Sequence, residues 1–124
     1  MGAIIEHVNL TVSNPDRTAA LLHDVFGWRE RWRGHSQMGG RTIHLGDARG
    51  YVSLYAPDDT AAPRRHGKGA PLNHVGVQVD DLDACEARVA AAGLTPFNHG
   101  DYAPGRRFYF FDFDGIEWEV VSYA

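Results

Sequence analysis

Two histidines open matching apolar stretches of the chain. His7-Val8-Asn9-Leu10-Thr11-Val12 aligns with His74-Val75-Gly76-Val77-Gln78-Val79, and Asp16 aligns with Asp83 at the same offset of 67 residues. Toward the end of the chain, Glu117 and Glu119 alternate with Ile116, Trp118 and Val120. Two imidazoles and one carboxylate form a donor set for a divalent first-row ion, which takes neutral imidazole nitrogen together with a hard anionic oxygen. Three protein ligands leave coordination positions open for water or a chelating substrate, the arrangement of a catalytic site. Such an ion acts as a Lewis acid on a substrate oxygen or, as iron(II), relays electrons to dioxygen. The plainer alternative is that each is an ordinary hydrogen-bonded or exposed strand histidine, retained in a diverged repeat without a role.

The elements that must position these groups follow the same repeat. Val8, Leu10 and Val12, like Val75, Val77 and Val79, alternate with polar residues, the period-two pattern of a strand with one buried face. The histidines therefore belong to the other face, with Asn9 and Thr11 in one half and Gly76 and Gln78 in the other. Asn14-Pro15-Asp16 offers a cap and an early helical proline, Leu21, Leu22, Val25 and Phe26 line one side of a helix, and Gly27 stops it. In the second half Asp80 or Asp81 caps a helix lined by Leu82, Cys85 and Val89 and ended by Gly93. Short β-rich runs follow each helix, at Trp28 to Arg33, Arg41 to Leu45 and Tyr51 to Tyr55, then Leu94 to Phe97, Arg107 to Phe111 and Glu117 to Ser122. The expected fold is α+β: two tandem βαβββ modules forming an open mixed-sheet barrel or cup. Module one covers 1–56 and module two 72–124 of a single domain. The Pro-, Gly- and charge-rich stretch 57–71 is read as a linker or flap, and its Arg64, Arg65, His66 and Lys68 as a solvated basic loop. If the two sheets curl together, both imidazoles and a glutamate share one hollow.

Composition narrows the partners. With 124 residues, 44% of them hydrophobic and 23% charged, the chain buries one core. Its 12 Lys+Arg against 16 Asp+Glu give a net charge of −4, the wrong sign for a nucleic-acid module. No apolar run approaches the roughly 18 residues of a membrane span. One cysteine, Cys85, cannot pair internally, and the opening MGAIIEHVNL shows no signal-peptide pattern, so a reducing cytoplasm is expected. Cys85 falls on the apolar helix face as a small core residue.

The tandem openings EHVNLTV and NHVGVQVDDLDA and the closing hairpin FYFFDFDGIEWEVV resemble the vicinal oxygen chelate superfamily, which includes glyoxalases, bleomycin-resistance proteins and extradiol dioxygenases. The resemblance covers essentially the whole chain. Phe113 stands where many relatives have proline, while the turn keeps Asp112 and Gly115. The resemblance implies His7, His74 and Glu119 as ligands of one divalent ion per site (iron(II), manganese(II), zinc(II) or nickel(II)), with Glu117 outside the ligand set. It implies a small-molecule substrate chelated through one or two oxygens, and a homodimer in which a second chain completes the cup.

Subgroups of the superfamily differ in what surrounds that set. Glyoxalase I uses a further Glu on the last strand of the first half, where this chain has Tyr51-Val52-Ser53-Leu54-Tyr55. Extradiol dioxygenases and fosfomycin-resistance thiol transferases place a Tyr ten residues before the Glu, matching Tyr109. The dioxygenases' catalytic His is absent from the strand holding Val52 and Ser53, and the transferases' potassium loop has no equivalent in Gly100 to Arg107. Tyr109 is expected nearly opposite Glu119 across the hairpin, its hydroxyl orienting or protonating a substrate oxygen, or else packing among Phe108, Phe110 and Phe111. Arg107, Arg41 and His44 are candidates to grip an anionic substrate group, and equally explicable as strand-edge charge. His23, His35, His66 and His99 fall in helix or loop contexts and are read as exposed. A second class of function is a binding or resistance protein that sequesters a drug against Trp28, Trp32, Tyr51, Tyr55, Phe97 and Tyr102.

Overall fold

A computed structural model describes residues 2–37, 39–58, 66–69 and 71–124. Among them the order is β1 (His7–Thr11), α1 (Pro15–Phe26), β2 (Arg29–His35), β3 (Arg41–Asp47), β4 (Gly50–Ala56), β5 (Val75–Gln78), α2 (Leu82–Ala91), β6 (Phe97–Tyr102), β7 (Gly105–Phe111) and β8 (Glu117–Ser122). This is βαβββ twice. Two compact units result, Met1–Arg64 and Arg65–Ala124. Most of the stretch expected as a linker, including Arg64 and Arg65, lies outside the described residues.

In the first unit the sheet order is β1-β4-β3-β2, with β1 parallel to β4 and the other pairs antiparallel. Leu10 and Val12 from the opening segment, Ile43 and Leu45 from β3, and Val52 and Leu54 from β4 are buried, as are Leu21, Leu22 and Val25 of α1. The helix begins where the Asn14 side chain accepts from the Arg17 amide and Pro15 supplies a preset first turn. It ends at Gly27, whose φ of 76° few other residues adopt. Register pairs His7 with Tyr51 and His44 with Ser53, so His7, Tyr51, Ser53 and His44 share the polar face.

The second unit repeats this plan as β5-β8-β7-β6, with β5 parallel to β8. Val77, Phe108, Phe110, Trp118 and Val120 are buried, together with Leu82, Cys85 and Val89 of α2. Asp81 is the cap, accepting from the Ala84 amide. The far end of α2 differs from expectation. Leu94 does not start a strand, because its amide bonds back to the Val89 carbonyl while that of Gly93 bonds to Ala90, which closes the helix end. Pro96 has no amide to give a sheet, so β6 starts at Phe97.

The tight turn between β7 and β8 is built around Asp112. Its Oδ1 accepts from the amides of Asp114 and Ile116, and its Oδ2 from the indole N–H of the fully buried Trp118 at 3.0 Å. Gly115, at φ 78°, completes the turn.

Candidate functional site

The polar face of the second sheet gathers most of the expected chemistry. Tyr109 is the register partner of Glu119, and Gly76 is its partner on the other side, so nothing stands between Glu119 and the start of β5. His74 immediately precedes that strand, and its Nε2 lies 2.9 Å from Glu119 Oε1. The other carboxylate oxygen accepts from Arg107 at 3.0 Å. Tyr109 stands edge-on to His74, with ring centroids 5.8 Å apart. Burial, and then the charge of Glu119 and a hydrogen bond to it, push the Tyr109 phenol above its ordinary range, so it keeps its proton.

Glu117 belongs to a second layer. It is buried and its Oε2 accepts from Lys68 at 2.7 Å, while lying 3.6 Å from His74 Nδ1. His74 Nδ1 also meets Asn73 Oδ1 at 2.7 Å. Sequence reasoning placed Glu117 outside the ligands but missed Asn73 and treated Lys68 as plain surface charge. The identity of the residue preceding each histidine was the available signal for Asn73. Nothing local signals a bond between residues as far apart as 68 and 117.

Within the second unit, His74 and Glu119 are two donors of the kind a divalent ion takes. Both ring nitrogens of His74 face oxygen atoms at hydrogen-bond distance, Nδ1 that of Asn73 at 2.7 Å and Nε2 that of Glu119 at 2.9 Å. Adjacent ligands with metal bonds of about 2.1 Å at right angles are about 3 Å apart, the spacing seen. Arg107 adds an unmet donor, since its Nε is buried with no hydrogen-bond partner.

His7 lies in the first unit, on a face lined by rings. It stacks on Tyr51 at 4.9 Å, Tyr51 stacks on His44 at 4.5 Å, and His44 meets Trp32 at 5.0 Å. The Arg31 guanidinium lies 4.5 Å above Tyr51. His7 Nδ1 hydrogen-bonds Glu6 Oε1 at 2.7 Å, which holds the Glu6 carboxyl below its usual range. Among the described residues, no group of three or more His, Cys, Asp or Glu is gathered as a metal site. Arg41 does not join His44 either: three residues apart on β3, they take opposite faces, and Arg41 shares the parity of Ile43 and Leu45. A pocket of about 380 Å³ opens beside Gly27, Arg29, Arg31, Gly46, Asp47 and Ala48 in the same unit.

Two further histidines are paired and the cysteine is buried. His99 Nε2 pairs with Glu86 at 2.8 Å, and His23 Nδ1 donates to the Trp28 carbonyl at 2.7 Å. Burial pushes the Cys85 thiol up to about 11, the behaviour of an inert core cysteine.

His44 provides a pH test. Burial first, then the charges of His7 and Arg31, hold it below the ordinary 6.5. The unfolded chain therefore binds this proton more readily than the folded one, and stability is lost as pH falls from about 6.5 through the folded-state value. The urea midpoint should drop less between pH 7.5 and pH 5.5 in His44→Phe than in the parent. Equal drops would show that His44 is not the source.

Two mixed sheets, each with a histidine at or just before the start of its opening strand and each backed by one helix, define an α+β chain of tandem βαβββ modules. It belongs to the Glyoxalase/Bleomycin resistance protein/Dioxygenase superfamily, whose family model matches residues 6–110. Among solved structures, a glyoxylase/bleomycin resistance protein/dioxygenase domain from Frankia sp. EAN1pec superposes with a TM-score of 0.85 at 24% identity, covering 98% of each chain. The fosfomycin resistance protein FosX from Listeria monocytogenes, complexed with Mn(II) and sulfate, gives 0.72 at 21% identity over 98% of this chain and 93% of that one. FosX from Mesorhizobium loti gives 0.71 at 23% identity, covering 98% and 92%. No curated protein sequence matches this chain. No described helix is long and apolar enough to cross a membrane.

Proposed function

We propose that this chain is a metal-dependent enzyme acting on a small molecule that chelates through oxygen, with His7, His74 and Glu119 holding one divalent ion. The observation that supports it most is the approach of His74 Nε2 to Glu119 Oε1 at 2.9 Å. For His7 the support is the repeat, which gives it the place His74 has in the second half. FosX from Listeria monocytogenes, a neighbour in fold, was crystallised with Mn(II), in keeping with a divalent ion here.

When bound, the ion supplies Lewis acidity toward a substrate oxygen and, if it is iron, a route to dioxygen. The chain's own groups do the rest. Tyr109 holds a proton beside Glu119 and can orient or protonate a substrate oxygen. Arg107, with its unmet Nε, offers a planar donor to an anionic substrate group, and His44 lies on the polar face of the first module's sheet. Lys68 neutralises Glu117 and keeps that carboxylate from competing with Glu119. Arg41, on the other face of its sheet from His44, is the weakest of the substrate-binding candidates. The reaction class follows as lyase, isomerase or ring-cleaving dioxygenase. A homodimer in a reducing cytoplasm, with its single free thiol buried, is the proposed setting.

Calorimetric titration of metal-stripped protein with Mn(II) tests the reading, and about one site per chain is expected. Absence of heat with Mn(II), Zn(II), Ni(II) and anaerobic iron(II) alike would end it. In the dioxygenase branch, turnover with iron(II) needs air, so equal rates under nitrogen would exclude that branch. A second reading, drug sequestration as in a resistance protein, is favoured by Trp32. Its indole lies so close over Gly34 that a Cβ there would sit 2.6 Å from it, and the residue stays 48% exposed.

A further inference from the structure

One extra residue in β2 changes what its polar face carries. Glu30 pairs with Leu45 and Trp32 with His44, so Arg31 has no partner across the ladder and forms a β-bulge. On a regular strand Arg31 and Trp32 would point to opposite faces of the sheet. Here the Arg31 guanidinium lies 4.5 Å over the Tyr51 ring and the Trp32 indole meets His44 at 5.0 Å, while Tyr51 and His44 share one face. The bulge therefore sets a cation and a large ring side by side on the same face.

A second cation joins them. Arg29 pairs with Gly46, two residues along β3 from His44, and with Arg31 it lines the cavity of about 380 Å³. Gly27, Gly46 and Ala48 complete that wall, and none has a side chain larger than a methyl group. Other arginines nearby are engaged: Arg33 with Glu30 at 2.7 Å and with Asp16 of α1 at 3.0 Å, and Arg49 with Asp47 at 2.7 Å. Arg29 and Arg31 are exposed and, among the described residues, neither forms an ion pair with a carboxylate. Asp47 also lines the cavity, but its carboxylate is taken by Arg49. Glu6 feels the charge of Arg31, yet it is bonded to His7. Arg31 donates one N–H to the Asp47 backbone carbonyl at 3.0 Å, which anchors the guanidinium and leaves its other donors for a ligand.

We propose that Arg29, Arg31 and Trp32 form a binding site for a flat aromatic carboxylate, the guanidinium groups taking the oxygens and the indole the ring. A guanidinium presents two parallel N–H groups in the plane a carboxylate offers its oxygens. Trp32 lies over Gly34, where a Cβ would sit 2.6 Å from the indole, so the ring is seated on its own strand and stays 48% exposed for stacking. A carboxylate fixed on Arg31 carries the ring it is attached to toward the next residue, Trp32. The site gives the proposed small-molecule function a ligand class and rests on that reading for its purpose, but it needs no metal.

The test titrates the metal-free full chain with 2-naphthoate and with the neutral 2-naphthalenemethanol, followed by ¹⁵N–¹H spectra. Naphthoate should shift the Nε–H signals of Arg29 and Arg31 and the indole N–H of Trp32 along one saturating curve, and the alcohol should bind about 10-fold more weakly. Arg29→Ala and Arg31→Ala should each weaken naphthoate by about 10-fold and Trp32→Ala by roughly 3- to 10-fold. All three residues are exposed, so their removal leaves the core intact. Arg33→Ala, on the helix side of the same strand, should keep the parent's affinity. An alcohol that binds as tightly as the acid, Arg29 and Arg31 variants with unchanged affinity, an equal loss in Arg33→Ala, or no saturable binding at all would each overturn the proposal. Because the protein is metal-free throughout, failure to bind naphthoate leaves the metal reading standing, and failure to bind Mn(II) leaves this site standing.

Discussion

His74→Ala should weaken Mn(II) binding by more than about 100-fold, because even residues that only orient a ligand are worth 10- to 100-fold and this one would be a ligand itself. The side chain is about one-third exposed, so its removal should leave the fold intact. What remains is Glu119, already engaged by Arg107 at 3.0 Å and by Tyr109. Without the imidazole, the carboxylate is simply the partner of a guanidinium. The comparison variant is Lys68→Met, which touches Glu117 and not Glu119, and should lower affinity by far less. Calorimetry on the two variants gives the answer, and equal affinities in parent and His74→Ala would remove that residue from the site.

Asp112→Ala should give the largest loss of stability expected for a residue outside the cores. Two backbone amides and the Trp118 indole N–H converge on one carboxylate with 4% of its surface exposed. Alanine leaves three buried donors without an acceptor. One unsatisfied buried group costs roughly 1–3 kcal/mol, and because the turn can relax, a loss of about 3 kcal/mol is expected rather than the full sum. Asn is no rescue, since one of its two positions is a donor that would face either the indole or the amides. Chemical denaturation of the two variants measures this. A loss under about 1 kcal/mol in Asp112→Ala would mean that water takes over the carboxylate's role.

Much of this architecture was legible because it depends on local rules applied twice. Asn14 and Asp81 cap their helices as their types require, and the period-two pattern put the histidines on the polar faces. The pairing of Tyr109 with Glu119 follows from counting back across the Asp112 to Gly115 turn. Parity alone also separates Arg41 from His44, a separation the charge-based reading passed over. Other features are not encoded locally. A register shift between Glu30 and Trp32 decides what β2 presents beside His44. The Lys68–Glu117 bond spans 49 residues. Leu94 looks like a strand residue by its neighbours, but its amide is spent on ending α2.

The shortest route to the central claim is elemental analysis of the parent and His7→Ala after equilibration with Mn(II) and removal of free metal. About one ion per chain in the parent, and its loss when a ring in the first module is deleted, is the outcome expected if both modules serve one centre. Full metal retained by His7→Ala would contradict it, leaving His74 and Glu119 to hold whatever ion is present.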